Sequence, residues 1–326
     1  MLPVKRVASL AAVVSLAVPL AACGSSSKNS VALVAYSTPQ KVYNKLIPDF
    51  QATAAGKGVK FTESYGPSGS QARAVIAGQK ADVVEFSLQT DMENLVKSHL
   101  VASNWNDNIY HGMVTDSIVV LVVRKGNPLG IHSFNDLTKP GVKVVTPDPR
   151  SSGSARWNLM ALYGSQIKEG KTPAQALSFV SQVLHETVSQ PSSGSQATSQ
   201  FVAGTGNVLI AYENEAIEAQ QAGEPIDFVR PADTLLIENP VAVTTDAKNP
   251  TLAKNFVNYL YSDAGQKTFA QLGYRPVVKA DFDAQQFPTP SGLFTINDLG
   301  GWDAVAKQFF DPTNGSITKI ENSLGS

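Results

Sequence analysis

The sequence has little of what several classes of protein require. A single cysteine excludes a scaffold held together by internal disulfides. Neither sign of charge dominates, because 26 Lys and Arg are balanced by 27 Asp and Glu, and this argues against nucleic-acid binding. With 43% hydrophobic residues and a formal charge of −1, intrinsic disorder is excluded as well. The 326 residues would fill one large domain or two of ordinary size.

The first 22 residues have the organisation of a secretory signal peptide. Lys5 and Arg6 form a short basic region, and an apolar run over residues 7–18 follows it. This run is too short to span a bilayer comfortably. No later segment of the sequence predicts a transmembrane helix, so we expect an exported protein.

The signal ends in a pattern that resembles the lipobox of bacterial lipoproteins. Residues 20–23 read Leu-Ala-Ala-Cys, and in such proteins the cysteine takes a diacylglyceryl group and becomes the mature amino terminus. Residues 23–30 are polar and serine-rich, as a flexible tether would be. We therefore expect Cys23 to carry a lipid anchor at the outer face of the cytoplasmic membrane, in the periplasm or cell envelope. An ordinary secretory signal with a cysteine near its cleavage point is the alternative.

Strand-like and helix-like segments alternate through most of the chain. Strands are predicted over residues 31–36, 59–63, 81–86, 118–124, 142–146, 208–212 and 227–229. Helices are predicted over residues 39–50, 71–77, 155–162, 173–184, 198–203, 214–221, 250–261 and 264–272, and the pattern weakens beyond residue 275. This alternation predicts an α/β fold with mostly parallel sheets, and so many short strands favour two lobes over one sheet.

Four short turns of small polar residues directly precede predicted helices. They cover residues 37–39, 66–70, 151–154 and 192–195. A helix start leaves backbone N–H groups unpaired and carries partial positive charge, so several converging starts could hold an oxyanion. Each turn alone could equally be an ordinary helix cap.

The segments that contain these turns resemble the bacterial periplasmic sulfate-binding proteins, the substrate-capturing subunits of sulfate and thiosulfate ABC importers. The matching segments are residues 64–78, 123–128, 136–142, 145–158, 206–216 and 293–296, in the same order. The resemblance implies that the protein captures sulfate and delivers it to the membrane subunits of an importer. It also implies a monomer that catalyses nothing and needs no cofactor.

The same resemblance implies a two-lobed periplasmic-binding-protein fold of type II, with a hinge between the lobes. Residues 31–119 and 242–326 would form lobe 1, and residues 120–241 would form lobe 2. Each lobe would contain a mostly parallel sheet flanked by helices, and two strand crossovers would join the lobes. A dehydrated sulfate dianion would lie between them, held by neutral donors at helix starts.

The resemblance assigns seven ligand-binding positions: Ser37, Ser68, Ser152, Gly153, Ser154, Gly194 and Tyr212. Three of these depart from the family pattern. Ser154 stands where a glycine is usual, Tyr212 where a tryptophan donates its indole N–H, and Ser37 where an aspartate lies near the site. A tyrosine hydroxyl can also donate but projects differently from an indole. The alternative ligands are therefore thiosulfate, molybdate or another tetrahedral oxyanion.

A site built only of donors would favour sulfate over phosphate. Sulfate carries no proton at neutral pH, whereas phosphate keeps one that would face another donor, unpaired and buried. A carboxylate in the cleft would reverse this preference, and Glu85 and Asp91 are the two candidates. We expect Asp91 to cap a helix and Glu85 to face a polar edge.

Other chemistry finds little support in the sequence. The four histidines are scattered, without the spacing of a metal site. A secreted serine hydrolase that uses Ser68 or Ser152 is the alternative from another class, although residues 66–70 lack the Gly-x-Ser-x-Gly elbow. Trp157 and Trp302 are expected to pack in the core.

Overall fold

The structure, a computed structural model, describes residues 29–324. The strands in this range are β1 (Ser30–Tyr36), β2 (Lys60–Gly66), β3 (Val83–Glu85), β4 (Met113–Arg124), β5 (Val144–Val145), β6 (Thr187–Ser189), β7 (Val208–Tyr212), β8 (Ile226–Val229), β9 (Leu236–Val243) and β10 (Arg275–Pro276). The α-helices are α1 (Gln40–Ala52), α2 (Ser68–Ile76), α3 (Gln89–Lys97), α4 (Gly153–Lys168), α5 (Pro173–His185), α6 (Gly194–Val202), α7 (Glu213–Gln221), α8 (Pro250–Leu260), α9 (Asp263–Gln271), α10 (Gly301–Phe309) and α11 (Ser316–Leu324). No helix among residues 29–324 is long and apolar enough to cross a membrane. The signal peptide, Cys23 and most of the predicted tether lie outside the described residues.

The strands form a mixed sheet in the order β2-β1-β3-β9-β4-β7-β5-β6, with β8 and β10 paired to β4 off this path. Pairing is parallel at both ends, where β1 lies between β2 and β3 and where β5 lies between β6 and β7. In the centre, β9 and β4 pair antiparallel with each other and with β3 and β7. The α/β class is confirmed, and the parallel pairing predicted from sequence describes the two ends rather than the centre.

The sequence does not predict two elements that lie close to the polar turns. Helix α3 is short and largely polar, with the sequence QTDMENLVK, and its apolar side consists only of Met92, Leu95 and Val96. Strand β9 contains Pro240, and proline is unusual inside a strand because it cannot donate to the ladder. Both elements therefore depend on tertiary contacts more than on local sequence preference.

Helices α2, α4 and α6 begin earlier than the sequence pattern predicts. Their first residues are Ser68, Gly153 and Gly194. Serine and glycine have weak helix propensity, so a pattern of apolar residues places each start too late. As a result, three of the predicted ligand-binding residues are the first residues of helices.

The largest core cluster packs the β4, β5 and β7 strands against α4, α5, α10 and α11. Trp157 is fully buried there, and Trp302 packs edge-on against it with 4.5 Å between the ring centroids. The expected core positions of both tryptophans are therefore confirmed. A second cluster packs α1, α8 and α9 against β1 and β3. The segment beyond residue 275, where the sequence pattern is weak, thus completes the first core and supports α4.

Candidate oxyanion site

The four polar turns, which are distant in sequence, meet in one region of the fold. The Gly69 N–H donates to Ser151 O at 3.2 Å, and Ser151 Oγ donates to Ser192 O at 2.9 Å. The first turn reaches the start of α7, where Thr38 Oγ1 donates to Glu215 Oε1 at 3.4 Å. Glu215 in turn lies beside the start of α6. Five helix starts, those of α1, α2, α4, α6 and α7, are therefore neighbours.

Backbone N–H groups supply much of the donor capacity of this region. Gly153 and Ser154 open α4, and Gly194 opens α6. N–H groups in a first turn have no acceptor within their own helix. The partial positive charge of each helix start adds to their attraction for an anion. Ser154 and Gly194 are also neighbours in space, so the two helix starts present their donors side by side.

Ser68 contributes its backbone rather than its hydroxyl in this arrangement. Its Oγ accepts from Ser87 N at 3.0 Å and donates to Asp91 Oδ2 at 2.6 Å. The Ser68 N–H, at the first position of α2, is its free donor position. Asp91 does not cap α3 as expected: it lies in the first turn of α3, and its carboxyl orients Ser68. Burial raises the pKa of Asp91, against the lowering effect of the Ser68 hydrogen bond.

Ser152, unlike Ser68, uses its backbone N–H within the protein and keeps its hydroxyl proton for a ligand. Its N–H donates to Asp148 O at 2.9 Å, within the turn. Its Oγ accepts from Ala155 N at 3.4 Å and so caps α4. Because an accepting hydroxyl keeps its own proton, Ser152 can still donate through its side chain. The backbone N–H groups at the start of α4 and the Ser152 hydroxyl can therefore both donate to a ligand.

Tyr212 is fully buried at the end of β7 and belongs to the same region. Its hydroxyl lies 2.7 Å from Ser87 Oγ. Burial raises the pKa of Tyr212, while side-chain hydrogen bonds with Ser87, Ser154 and Asn239 act in the opposite direction. The phenol therefore keeps its proton at neutral pH and remains a possible donor.

Two glycines allow close approach at the centre of the region. A Cβ on Gly153 would lie 2.5 Å from Ser87 Oγ, closer than any ordinary contact. A Cβ on Gly194 would lie 2.9 Å from Ser154 Oγ and 3.0 Å from Glu215 Oε1. Neither glycine has a positive φ, so space is the reason for both. The space is tighter at Gly153, where a Cβ would also meet Ser87 Cβ at 2.7 Å, than at Gly194, where the close atoms are the ends of two side chains.

The carboxyl groups near this region are not where the sequence predicts them. Glu85 is fully buried and hydrogen-bonded to the Tyr43 hydroxyl, so the expected polar edge is wrong. Burial raises its pKa to about 8. Glu215 lies nearer to the helix starts and accepts from Tyr212 N at 3.2 Å. Burial raises the pKa of Glu215 to about 7, against the hydrogen bonds that it accepts.

Two cavities border the converging helix starts and share no lining residue. The arginine cavity, of about 430 Å³, is lined by the cationic residues Arg73, Lys97, Arg150, Arg156 and Lys307, by four acidic residues and by Ser152 and Gly153. The glutamate cavity, of about 250 Å³, is lined by Ser37, Thr38, Lys41, Ser195, Glu215 and Glu218, among others. Ser37 is thus at the rim of the region, while the other six predicted residues are buried in it.

The described residues offer little to the other chemistries. No group of three or more His, Cys, Asp or Glu side chains in residues 29–324 could hold a metal ion. The Ser68 hydroxyl contacts an aspartate and a backbone N–H, and that of Ser152 contacts a backbone N–H. Neither forms a hydrogen bond with a histidine, as an activated serine nucleophile would require.

Sequence reasoning misses Ser87, Asn239 and Glu215 as members of this region. Ser87 follows a predicted buried strand and precedes α3, so it occupies a turn of the same kind as the other four. Recognising α3 would have revealed it. Asn239 and Glu215 carry no such signal, because their positions depend on β9 and on the contact between α7 and the first turn.

Comparisons with known proteins agree with these features. The family model described as bacterial extracellular solute-binding protein matches residues 31–275. A sulfate-binding protein of Synechococcus elongatus is 38% identical, over 94% of this chain and 93% of the relative. A sulfate-binding protein of Salmonella typhimurium is 38% identical, over 82% of this chain and 85% of the relative. The solved sulfate-binding protein SubI from Mycobacterium tuberculosis is 44% identical with a TM-score of 0.84, over 87% of this chain and all of that chain.

Proposed function

Since the chain belongs to the bacterial extracellular solute-binding proteins, we propose that it captures sulfate outside the cytoplasm and delivers it to an ABC importer. The predicted periplasmic-binding-protein fold is confirmed by the likeness to a solved sulfate-binding protein. The observation that carries the proposal is the convergence of five helix starts on one buried, hydroxyl-rich region. Similarity to sulfate-binding proteins over most of the chain supports the choice of ligand.

The donors would surround the anion from several sides. The N–H groups of Gly153, Ser154 and Gly194 would bind from the starts of α4 and α6. The Ser68 N–H would bind from the start of α2, and the Ser152 and Tyr212 hydroxyls would complete the set. Each group is neutral, so the helix starts and the hydrogen bonds would balance the two negative charges.

The carboxyl groups near the region are already engaged by donors of the protein. Asp91 accepts from Ser68, and Glu215 accepts from Tyr212 N and Thr38. They therefore need not act as acceptors for a protonated anion. This arrangement supports a preference for sulfate, which brings no proton, over phosphate, which does.

Closure of two lobes would explain how a buried site is filled and emptied. We expect residues 31–119 and 242–326 to form lobe 1 and residues 120–241 to form lobe 2, with β4 and β9 as the crossovers. The donors of α2 would then belong to lobe 1 and those of α4, α6 and α7 to lobe 2. A ligand bound by both sets would favour the closed state by its differential affinity.

We also propose that the mature protein is a monomer tethered by a lipid on Cys23. Its partners would be sulfate and the membrane subunits of the importer, at the outer face of the cytoplasmic membrane. We expect no catalytic turnover, because the family supplies capture and delivery rather than chemistry.

Isothermal titration of the chain from Gly24 onward tests the proposal. The protein would be unfolded and refolded first, to remove any bound ligand, and then titrated with sulfate, thiosulfate, molybdate and phosphate. We expect tight one-to-one binding of sulfate and no detectable binding of phosphate at the same concentrations. Binding of another oxyanion in place of sulfate would keep the fold and contradict the ligand, and hydrolysis of an ester with labelling of Ser68 or Ser152 would favour the hydrolase.

A further inference from the structure

Ser87 forms hydrogen bonds in several directions across the candidate site. It is fully buried between β3 and α3. Its N–H donates to Ser68 Oγ at 3.0 Å. Its carbonyl oxygen accepts from Trp157 Nε1 at 2.8 Å and from Asn239 Nδ2 at 3.2 Å. Its hydroxyl lies 2.7 Å from that of Tyr212. Backbone contacts on both sides therefore hold the side chain in one position.

The space around the Ser87 hydroxyl leaves it little choice of partner. The start of α4 packs directly against it, since a Cβ on Gly153 would lie 2.5 Å from Ser87 Oγ. The Tyr212 hydroxyl lies within hydrogen-bond distance of the Ser87 hydroxyl. In this position the Ser87 hydroxyl is confined between the start of α4 and the Tyr212 hydroxyl.

The direction of this hydrogen bond decides what Tyr212 can offer a ligand. A phenol hydroxyl has one proton to donate and an oxygen that can accept. If Tyr212 donates to Ser87, its proton is used and it can only accept from a ligand. If Ser87 donates to Tyr212, the phenol proton is free to point at an acceptor, such as an oxygen of a dianion.

Other neighbours favour the second direction. Ser154 and Asn239, like Ser87, act to lower the pKa of Tyr212 through side-chain hydrogen bonds, as donors to the phenol oxygen would. Burial keeps the phenol protonated. With donors on its oxygen, Tyr212 keeps a proton that a bound anion can accept.

We propose that Ser87 is a positioning residue, which donates its hydroxyl proton to Tyr212 and thereby fixes the Tyr212 proton toward the bound oxyanion. The inference rests on the proposed function, since it needs a bound oxyanion as the acceptor. An indole N–H points in a fixed direction by itself, whereas a phenol hydroxyl can rotate. Ser87 and Tyr212 would therefore act together as one fixed donor. It also makes the pair selective, because a fixed donor rejects the proton of hydrogen phosphate.

A double-mutant cycle on the mature protein tests this role. Ser87→Ala, Tyr212→Phe and the double variant would be titrated with sulfate. Each single change should lower sulfate affinity about tenfold or more, the effect of losing one hydrogen bond to a charged group. The double variant should lose no more than the larger single loss, because both changes remove the same donor.

Selectivity separates positioning from packing. In Ser87→Ala the phenol can rotate and accept, so phosphate binding, followed by thermal shift at millimolar phosphate, should not weaken. The preference for sulfate over phosphate should therefore shrink about tenfold. The matched control is Ser165→Ala, a buried serine of α4 whose hydroxyl donates to Leu162 O at 2.8 Å. It should leave both affinities unchanged.

Several results would overturn the proposal. Sulfate affinity of Ser87→Ala equal to that of the wild type, additive losses in the double variant, or equal losses for sulfate and phosphate would each contradict positioning. If Ser87→Ala fails to fold, Tyr212→Phe decides alone, and sulfate affinity equal to that of the wild type would overturn the donor role. A wild-type protein that binds no oxyanion would reject the proposed function itself, and the wild-type titration distinguishes this case.

Discussion

The arginine cavity and the glutamate cavity border the same helix starts but differ in charge. Five cationic and four acidic side chains line the first, whereas one lysine and two glutamates are the charged residues of the second. Between the cavities, the groups expected to touch the ligand are N–H groups and hydroxyls. The two cavities thus differ in formal charge, while the proposed contacts to the ligand are all neutral donors. Mutations in the cavities should therefore change how fast sulfate binds, and mutations between them should change how tightly it binds.

The largest effects are expected at the centre, where both cavities meet the helix starts. Gly153→Ala and Gly194→Ala would each place a Cβ within 3 Å of polar side-chain atoms. Because the helix starts or the side chains beside them would have to move, we expect sulfate affinity to fall about 100-fold or more. Overpacking of this kind typically costs about 1–3 kcal/mol. Gly66→Ala is the control, since its Cβ would meet no atom closer than 3.4 Å. If titration with sulfate gives the same affinity for all three variants, close approach is not the reason for glycine at these positions.

The two capping serines should differ in a second, smaller effect. Ser152 caps α4 beside the arginine cavity, and Ser193 caps α6 by accepting from Gln196 N at 3.3 Å. Replacing either with alanine should cost about 1 kcal/mol of stability, as loss of an N-cap does. Only Ser152→Ala should also lower sulfate affinity, about tenfold, because its hydroxyl proton is expected to reach the ligand. Equal affinities in the two variants would assign Ser152 to capping alone.

The rim charges should change the rate of capture rather than its strength. Arg73→Gln in the arginine cavity should lower the association rate about two- to threefold at low salt. Glu218→Gln in the glutamate cavity should leave it unchanged or raise it slightly. Stopped-flow measurement at two salt concentrations checks this, since screening should remove both differences. Changes that persist at high salt would indicate altered structure instead.

The glutamate cavity should also make stability depend on pH. Burial raises the pKa of Glu218 from 4.5 to about 8, against the charge of Lys41. An acid with a raised folded pKa binds its proton more tightly when folded, so its stabilising effect is present at low pH. The free energy of unfolding should therefore fall as pH rises from about 4.5 toward 8, by about 1 kcal/mol or more.

Glu218→Gln should flatten this dependence, because glutamine stays neutral throughout. The exposed Glu186→Gln is the matched control and should keep the wild-type slope. Denaturant unfolding at several pH values measures both. An unchanged slope in Glu218→Gln would assign the dependence to other buried acids whose pKa values burial also raises, among them Glu85 and Glu215.

Much of the fold could be predicted because its signals are local. The apolar runs of β1 and β7 and the apolar faces of α1 and α5 are visible in the sequence, and the structure contains them. The polar turns are visible too, since serine and glycine before a helix have a direct structural meaning. Element boundaries were harder to predict, as α2, α4 and α6 show, because helix propensity and helix geometry disagree at a serine–glycine start.

The sequence by itself determined the class of fold, the presence of the turns and the resemblance to sulfate-binding proteins. The tertiary structure alone decided that Ser87 meets Tyr212, 125 residues away, and that Thr38 meets Glu215, 177 residues away. It also decided that Ser68 turns its hydroxyl to Asp91, and that Glu85 is buried against Tyr43. The physical reason is that a hydrogen bond depends on distance in space and on the competition among nearby donors and acceptors. Neither quantity exists until the chain has folded.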